Sequence, residues 1–272
     1  MLLAIDIGNS SIKFGVYDRE TLTTKFSIPT NRKYSSTEIK LAVGNKLKET
    51  VTHAVASSVV PEVETTLAEF CNEQLGIEIV FVNNSFDFGL KINYKPILSV
   101  GTDRLIAAFA ASEKHGKPCI VCDFGTATTI DAVSSNSEYL GGIIAPGMGT
   151  MAEVLHLKTS KLPHVAIEKP ANVIGNSTVK SIQSGIFYGY IGLVEGIISR
   201  MQKELLLPLM ITAGGSNMRI KVVATGGFAS LISENCKVID IVEDNLILNG
   251  LQLTYERRLV QQDLEDQSVL DE

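Results

Sequence analysis

The chain has 272 residues, a formal net charge of -6, 45% hydrophobic and 20% charged residues, and no Trp. That length can bury a sizeable core in one large or two ordinary domains, and the composition carries no signature of disorder. The acidic balance argues against a general nucleic-acid surface and favours small-molecule chemistry.

The N-terminus opens directly on a strand, with no signal-peptide pattern, and no apolar run reaches membrane-spanning length, which predicts a cytosolic protein away from the membrane. An apolar run Leu3–Ile7 reads as a buried strand. After the turn Gly8-Asn9-Ser10-Ser11, the alternation Ile12-Lys13-Phe14-Gly15-Val16 reads as its returning partner. A third strand is predicted at 25–29, a helix over 37–49, a buried strand over 52–61 ending at Pro61, a helix over 63–75 and a strand over 77–82. Residues 94–102 read as a loop, and 103–115 as a helix with Leu105, Ile106 and Phe109 on one side.

Near Pro118 the opening plan repeats. Val121-Cys122-Asp123-Phe124-Gly125-Thr126-Ala127-Thr128-Thr129 again gives strand, Asp-x-Gly, hydroxyls and a returning strand. A third strand follows at 138–144, then a turn at 145–149, helices over 150–157 and 179–206, a turn at Gly214-Gly215, a strand over 220–225 and a helix over 245–256. The acidic tail 261–272 reads as a solvated, frayed end. The duplication favours two domains, 1–117 and 118–272. Cys119 and Cys122 have CxxC spacing, but they lie in a strand with no second pair or His cluster nearby, so all four cysteines read as buried thiols of a reduced protein.

The repeated turn suits a phosphate. Glycine lets backbone N–H groups approach an anion, hydroxyls donate to it, and a carboxylate holds a neutralising cation. Two such hairpins make a nucleotide clamp, whereas one alone would be an ordinary Asp-x-Gly turn. Lys13 is either a phosphate contact or a solvent-facing strand lysine. Gly101-Thr102-Asp103-Arg104 lies where a loop enters a helix. Thr102 or Asp103 there serves as a helix cap, or else Asp103 takes a proton from an attacking hydroxyl while Arg104 grips an anion. The glycine-rich stretches 141–147 and 223–227 fit either tight turns or a platform beneath a ligand. The four histidines lack zinc-ligand spacing, and no Walker-type P-loop occurs.

The ordered set of motifs resembles the type III pantothenate kinases of the acetate and sugar kinase, Hsp70 and actin superfamily across nearly the whole chain. The parts that carry it are Asp6-Ile7-Gly8-Asn9-Ser10, Ser57-Ser58-Val59-Val60-Pro61, Tyr94 with Gly101-Thr102-Asp103-Arg104, and Asp123–Thr129. They continue through Gly141-Gly142, Pro146-Gly147, Lys161-Leu162-Pro163, Thr178 with Ser181–Gly185, and Thr225-Gly226-Gly227. The resemblance implies an α/β protein of two RNase H-like (actin-like) domains, each a mixed sheet flanked by helices, with ATP in the cleft between them. It implies a homodimer with pantothenate at or beside the subunit interface. It also implies Asp103 as the base, with Tyr94, Gly101, Thr102, Arg104 and Thr178 as substrate contacts. Asp6, Ile7, Gly8, Asn9, Ser10, Ser11, Ile12, Lys13 and Thr126 become contacts for ATP, Asp6 lies near Mg2+, and Asp123 is the ligand of K+ or NH4+. Two alternatives share the phosphate motifs: a kinase of another small hydroxy acid or sugar, and a nucleotide-binding regulator without catalysis.

Overall fold

The computed structural model describes the backbone of residues 1–212 and 219–270 and the side chains of residues 1–206 and 219–260. The chain forms two compact units. One comprises Met1–Leu90, Tyr94–Ala110 and the C-terminal stretch that begins at Asn245; the other comprises Lys91–Asn93 and Ala111–Asp244.

In the first unit, β1 (Leu2–Ile7), β2 (Ser11–Asp18), β3 (Thr21–Pro29), β4 (His53–Ser58) and β5 (Ile79–Phe81) form a sheet of order β3-β2-β1-β4-β5. The pairs β1/β2 and β2/β3 are antiparallel, and β1/β4 and β4/β5 are parallel. Every residue of the central strand β1 is buried, as a strand covered on both faces requires, while the edge strand β3 alternates. Leu3, Ile5 and Ile7 share a core with Ile39 of α1 (Ser36–Val43) and Val63 and Leu67 of α2 (Pro61–Phe70). The intervening positions face the other way. Gly15, paired with Ala4, approaches Leu248 of the last helix, which packs on β1, β2 and β4.

Local chemistry sets the ends of these helices. Ser35 and Glu38 form a capping box at the start of α1, and Gly44, at φ 48°, closes it after Val43, short of the expected 49. Pro61 does not end a strand. The strand stops at Ser58, and the proline takes the first position of α2, where its missing N–H costs nothing. A π-helical turn, Cys71–Leu75, completes the stretch read as one helix.

The second unit repeats the plan. β7 (Cys119–Phe124), β8 (Ala127–Val133), β9 (Glu138–Pro146), β10 (Lys221–Thr225) and β11 (Ile241–Val242) stand in the order β11-β10-β7-β8-β9, with the short β6 (Lys91–Ile92) added beside β9. β7/β8 and β8/β9 are antiparallel; β7/β10 and β10/β11 are parallel. Strand for strand this matches the first sheet, so the mixed-sheet, RNase H-like duplication implied by the sequence is present. In α5 (Thr178–Thr212), Ile182, Ile186, Tyr190, Val194 and Ile198 recur at every fourth position and meet Ile120, Cys122 and Phe124 of β7. The four cysteines are free and buried, and burial pushes the thiols of Cys71 and Cys119 up to about 12. Among the described residues no cluster of His, Cys, Asp and Glu is arranged to hold a metal, and no helix is long and apolar enough to cross a membrane.

The division at 117/118 differs from the division by contacts, because α7 (Leu246–Leu270) returns to the first sheet: Asn249 accepts a hydrogen bond from Tyr17 at 2.7 Å, and Gly250 lies against Ile106. The backbone of that helix continues to Leu270, through most of the stretch read as a frayed tail, whose side chains lie outside the described residues. Finally, β9 runs to Pro146 and α4 (Met148–Lys158) starts at Met148, which leaves Gly147 alone between strand and helix where a five-residue turn was read. The turn read at Gly214-Gly215 lies outside the described residues.

Candidate functional site

The sheet register places Asp6 between two specific neighbours. Across the antiparallel pair it faces Lys13, and across the parallel pair it faces Ser57. Lys13 Nζ lies 3.4 Å from Asp6 Oδ2, and Ser57 Oγ donates to Asp6 Oδ1 at 3.3 Å. Asp6 is only 6% exposed. Burial pushes its carboxyl above the usual carboxylate range, and Lys13 and Ser57 pull it back down. A buried carboxylate of this kind is a strong demand for a cation, and Lys13 meets that demand in part.

The loop beyond Asp6 is held tightly. Gly8 N donates to Ser11 O at 3.1 Å, and Thr30, just past β3, latches it from the side: its hydroxyl donates to Gly8 O at 2.6 Å and its N–H to Ser10 O at 3.1 Å. Asn9 and Ser10 are exposed at the tip, whereas Ile7 and Ile12 are buried, so only their backbone is available to an anion.

The second hairpin copies this scheme with different side chains. Asp123 is paired with Thr129 on β8 and Thr225 on β10, the positions that Lys13 and Ser57 occupy around Asp6. Gly125 N donates to Ala127 O at 3.1 Å, and Thr126 is exposed at the tip. The latch is supplied by Gly147 N and Thr150 Oγ1, which donate to Thr126 O at 3.0 and 2.7 Å. A Cβ on Gly147 would lie 2.2 Å from Gly125 O, so this glycine is where the β9–α4 backbone presses beneath the hairpin. Gly226, at φ +96°, packs equally closely: a Cβ there would lie 2.5 Å from Asp123 Oδ1.

The third group is in the first unit. α3 (Thr102–His115) begins at Thr102, so Gly101 precedes it. The Thr102 hydroxyl donates to Asn84 Oδ1 at 2.9 Å rather than capping the helix. Asp103 Oδ1 accepts from Arg104 N at 2.8 Å, which fixes the carboxylate at the helix N-terminus. Arg104 is 6% exposed, with its guanidinium 5.7 Å from the centroid of Tyr94. Thr178 is exposed at the first position of α5.

The structure thus brings Asp6 to Lys13, Tyr94 to Arg104, and Thr126 to the glycine-rich turn at 147. Sequence reasoning missed Thr30, Thr150 and Asn84, each of which acts on a partner distant in sequence. The offset of a hydroxyl just past each third strand is the one trace the two threonines leave.

A family model described as type III pantothenate kinase matches residues 2–200. A type III pantothenate kinase of Koribacter versatilis is 39% identical over 273 residues, covering 94% of this chain and 96% of that protein. One of Moorella thermoacetica is 40% identical over 264 residues, covering 94% and 99%. Among solved structures, a Campylobacter jejuni protein described as a candidate Baf family transcriptional activator aligns with a TM-score of 0.57 at 20% identity, over 94% of this chain and 98% of that one. A candidate 2-dehydro-3-deoxygalactonokinase of Sinorhizobium meliloti aligns at 0.53 and 13%, over 94% and 96%. These two likenesses bear on fold alone, whereas the matches of sequence span the motifs around Asp6, Asp103 and Asp123. The chain belongs to the type III pantothenate kinases.

Proposed function

We infer that the protein is an ATP-dependent kinase that phosphorylates the primary hydroxyl of pantothenate to 4'-phosphopantothenate, the first step towards coenzyme A. The observation that carries this reading is the 39–40% identity over 94% of the chain to pantothenate kinases, in a chain whose motifs carry Asp6, Asp103 and Asp123.

Each group has a role in this reaction. The exposed tip residues Asn9 and Ser10, Ser11 at the start of β2, the backbone of Ile7, Gly8 and Ile12, and Thr126 contact the ATP phosphates, with Lys13 adding a point charge. The oxygen donors around Asp6 suit Mg2+, a hard cation held by one or two carboxylates together with substrate phosphates and water. When bound, Mg2+ offsets the charge that spreads over the transferring phosphoryl group. Arg104 and Tyr94 hold the acceptor carboxylate and its chain, assisted by Gly101, Thr102 and Thr178. As the hydroxyl oxygen bonds to the γ-phosphorus, its proton passes to Asp103, and the bond to the β,γ-bridging oxygen breaks with its electron pair leaving on ADP. Asp123 takes K+ or NH4+, a role supported by the close packing of its carboxylate against Gly226 at the end of β10.

We place the enzyme in the cytoplasm as a homodimer. Exposed apolar side chains on α4 and on the segment leading into α5, among them Leu157, Val173 and Ile174, support self-association. Growth rescue of a pantothenate-kinase-deficient strain tests the reading: the wild-type gene restores growth and Asp103→Asn does not. Failure of the wild-type gene, expressed as folded protein, would overturn it.

A further inference from the structure

Between Tyr94 and the start of α3 the chain has little to fix it. It forms one helical turn, Ile97–Ser99, in which Ile97 and Leu98 are 47% and 85% exposed, and its apolar anchor is Val100, which is buried. Beyond the bonds of its own turn, which include Ser99 Oγ to Pro96 O at 2.7 Å, one side chain outside the stretch makes three more. Asn84 Nδ2 donates to Ile97 O at 3.0 Å and to Val100 O at 2.8 Å, while Asn84 Oδ1 accepts from Thr102 Oγ1 at 2.9 Å.

Both amide protons and the amide oxygen are therefore engaged. Their assignment follows from the partners, because a reversed amide would set an oxygen against two carbonyl oxygens. The three bonds grip the stretch at both ends, at Ile97 and at Thr102. Within the stretch, a Cβ on Gly101 would lie 2.4 Å from Asp103 Oδ1, so the turn and the carboxylate are packed together and a shift of one displaces the other. Misplacing a reacting group by about 1 Å costs on the order of a hundredfold in rate.

We propose that Asn84 is a positioning residue for acceptor recognition: its amide fixes Ile97–Thr102 and so sets where Tyr94, Asp103 and Arg104 meet the hydroxy acid. This rests on the kinase reading above. The nucleotide loop at Asp6–Lys13 is held separately, by Thr30, so Asn84 governs the acceptor and leaves ATP untouched.

The test compares Asn84→Asp, Asn84→Ala and Thr102→Val with the wild type in kcat, in KM for pantothenate and for ATP, and in amide hydrogen exchange over residues 95–104. Asn84→Asp keeps the shape but turns both donors into acceptors. It lowers kcat/KM for pantothenate by about tenfold or more, leaves KM for ATP unchanged, and speeds exchange at 97–102 while β1 and β4 keep their protection. Thr102→Val loses one bond and does less, and its effect combined with Asn84→Asp falls short of the sum. Parallel rises in both KM values, or unaltered exchange at 97–102, would overturn the proposal. Should Asn84→Asp not fold, Asn84→Ala, which removes the bonds without adding charge, is read in the same way. If the wild type shows no pantothenate-dependent turnover, the kinase reading falls, and the exchange result alone decides whether Asn84 holds the loop.

Discussion

Two neighbouring glycines at the end of β10 make opposite demands. Gly226 has φ +96°, and a Cβ on it would lie 2.5 Å from Asp123 Oδ1 and 2.6 Å from the backbone of Phe124; Gly227 has no atom within 4 Å of its Cβ position. In Gly226→Ala the left-handed backbone costs about 1–2 kcal/mol. Overpacking against a backbone that cannot swing away adds about 1–3 kcal/mol. Together these give a loss of roughly 3 kcal/mol, which for a chain of this size lowers Tm by roughly 6–12 °C. Gly227→Ala is neutral, or gains about 0.4–1 kcal/mol through a less flexible unfolded chain. Thermal unfolding of both variants measures the contrast, and titration of turnover with KCl adds a functional readout. Gly226→Ala, which crowds Asp123, should need more K+, whereas Gly227→Ala should titrate like the wild type. Equal stability of the two variants would refute the packing argument, and an unchanged K+ requirement in Gly226→Ala would refute the cation role of Asp123.

Asp6→Asn should abolish turnover yet stabilise the ligand-free protein by about 1 kcal/mol at pH 7, as removal of a strained functional group often does. The folded carboxyl titrates above its unfolded value because burial disfavours its charge. Its contribution to stability is therefore complete below the unfolded carboxylate value and is lost as pH rises through the folded one. Denaturant unfolding should show the variant's advantage at pH 7 shrinking towards nothing in acid; an advantage independent of pH would contradict it. Asp103→Asn should keep its Tm and lose on the order of a hundredfold or more in kcat, and retained turnover would remove the base assignment. Arg104→Ala should raise KM for pantothenate while KM for ATP holds; if a panel of hydroxy acids and sugars shows instead that a neutral sugar is the preferred acceptor, the anion contact is wrong.

What could be read from the sequence was what is encoded locally. Both hairpins were legible because strand, Asp-x-Gly and returning strand are contiguous, and α5 because its apolar residues keep a helical period over many turns. β6, β11 and α6 (Ala229–Ser233) are too short to set up a period. The return of α7 to the first sheet was hidden for a different reason: Gly250 has meaning only against Ile106, and Asn249 only against Tyr17. The site divides in the same way. Asp6, Asp103 and Asp123 stand in motifs, but Ser57, which bonds Asp6, Thr30, which bonds the loop after it, and Asn84, which bonds the stretch before Asp103, are placed by strand register and loop packing.

The most direct measurement of the central claim is product formation by the purified wild-type protein with ATP, Mg2+ and K+, with and without pantothenate. The account predicts ADP release that depends on pantothenate and a product carrying one phosphoryl group on the pantothenate primary hydroxyl. ATP binding without pantothenate-dependent transfer would contradict it.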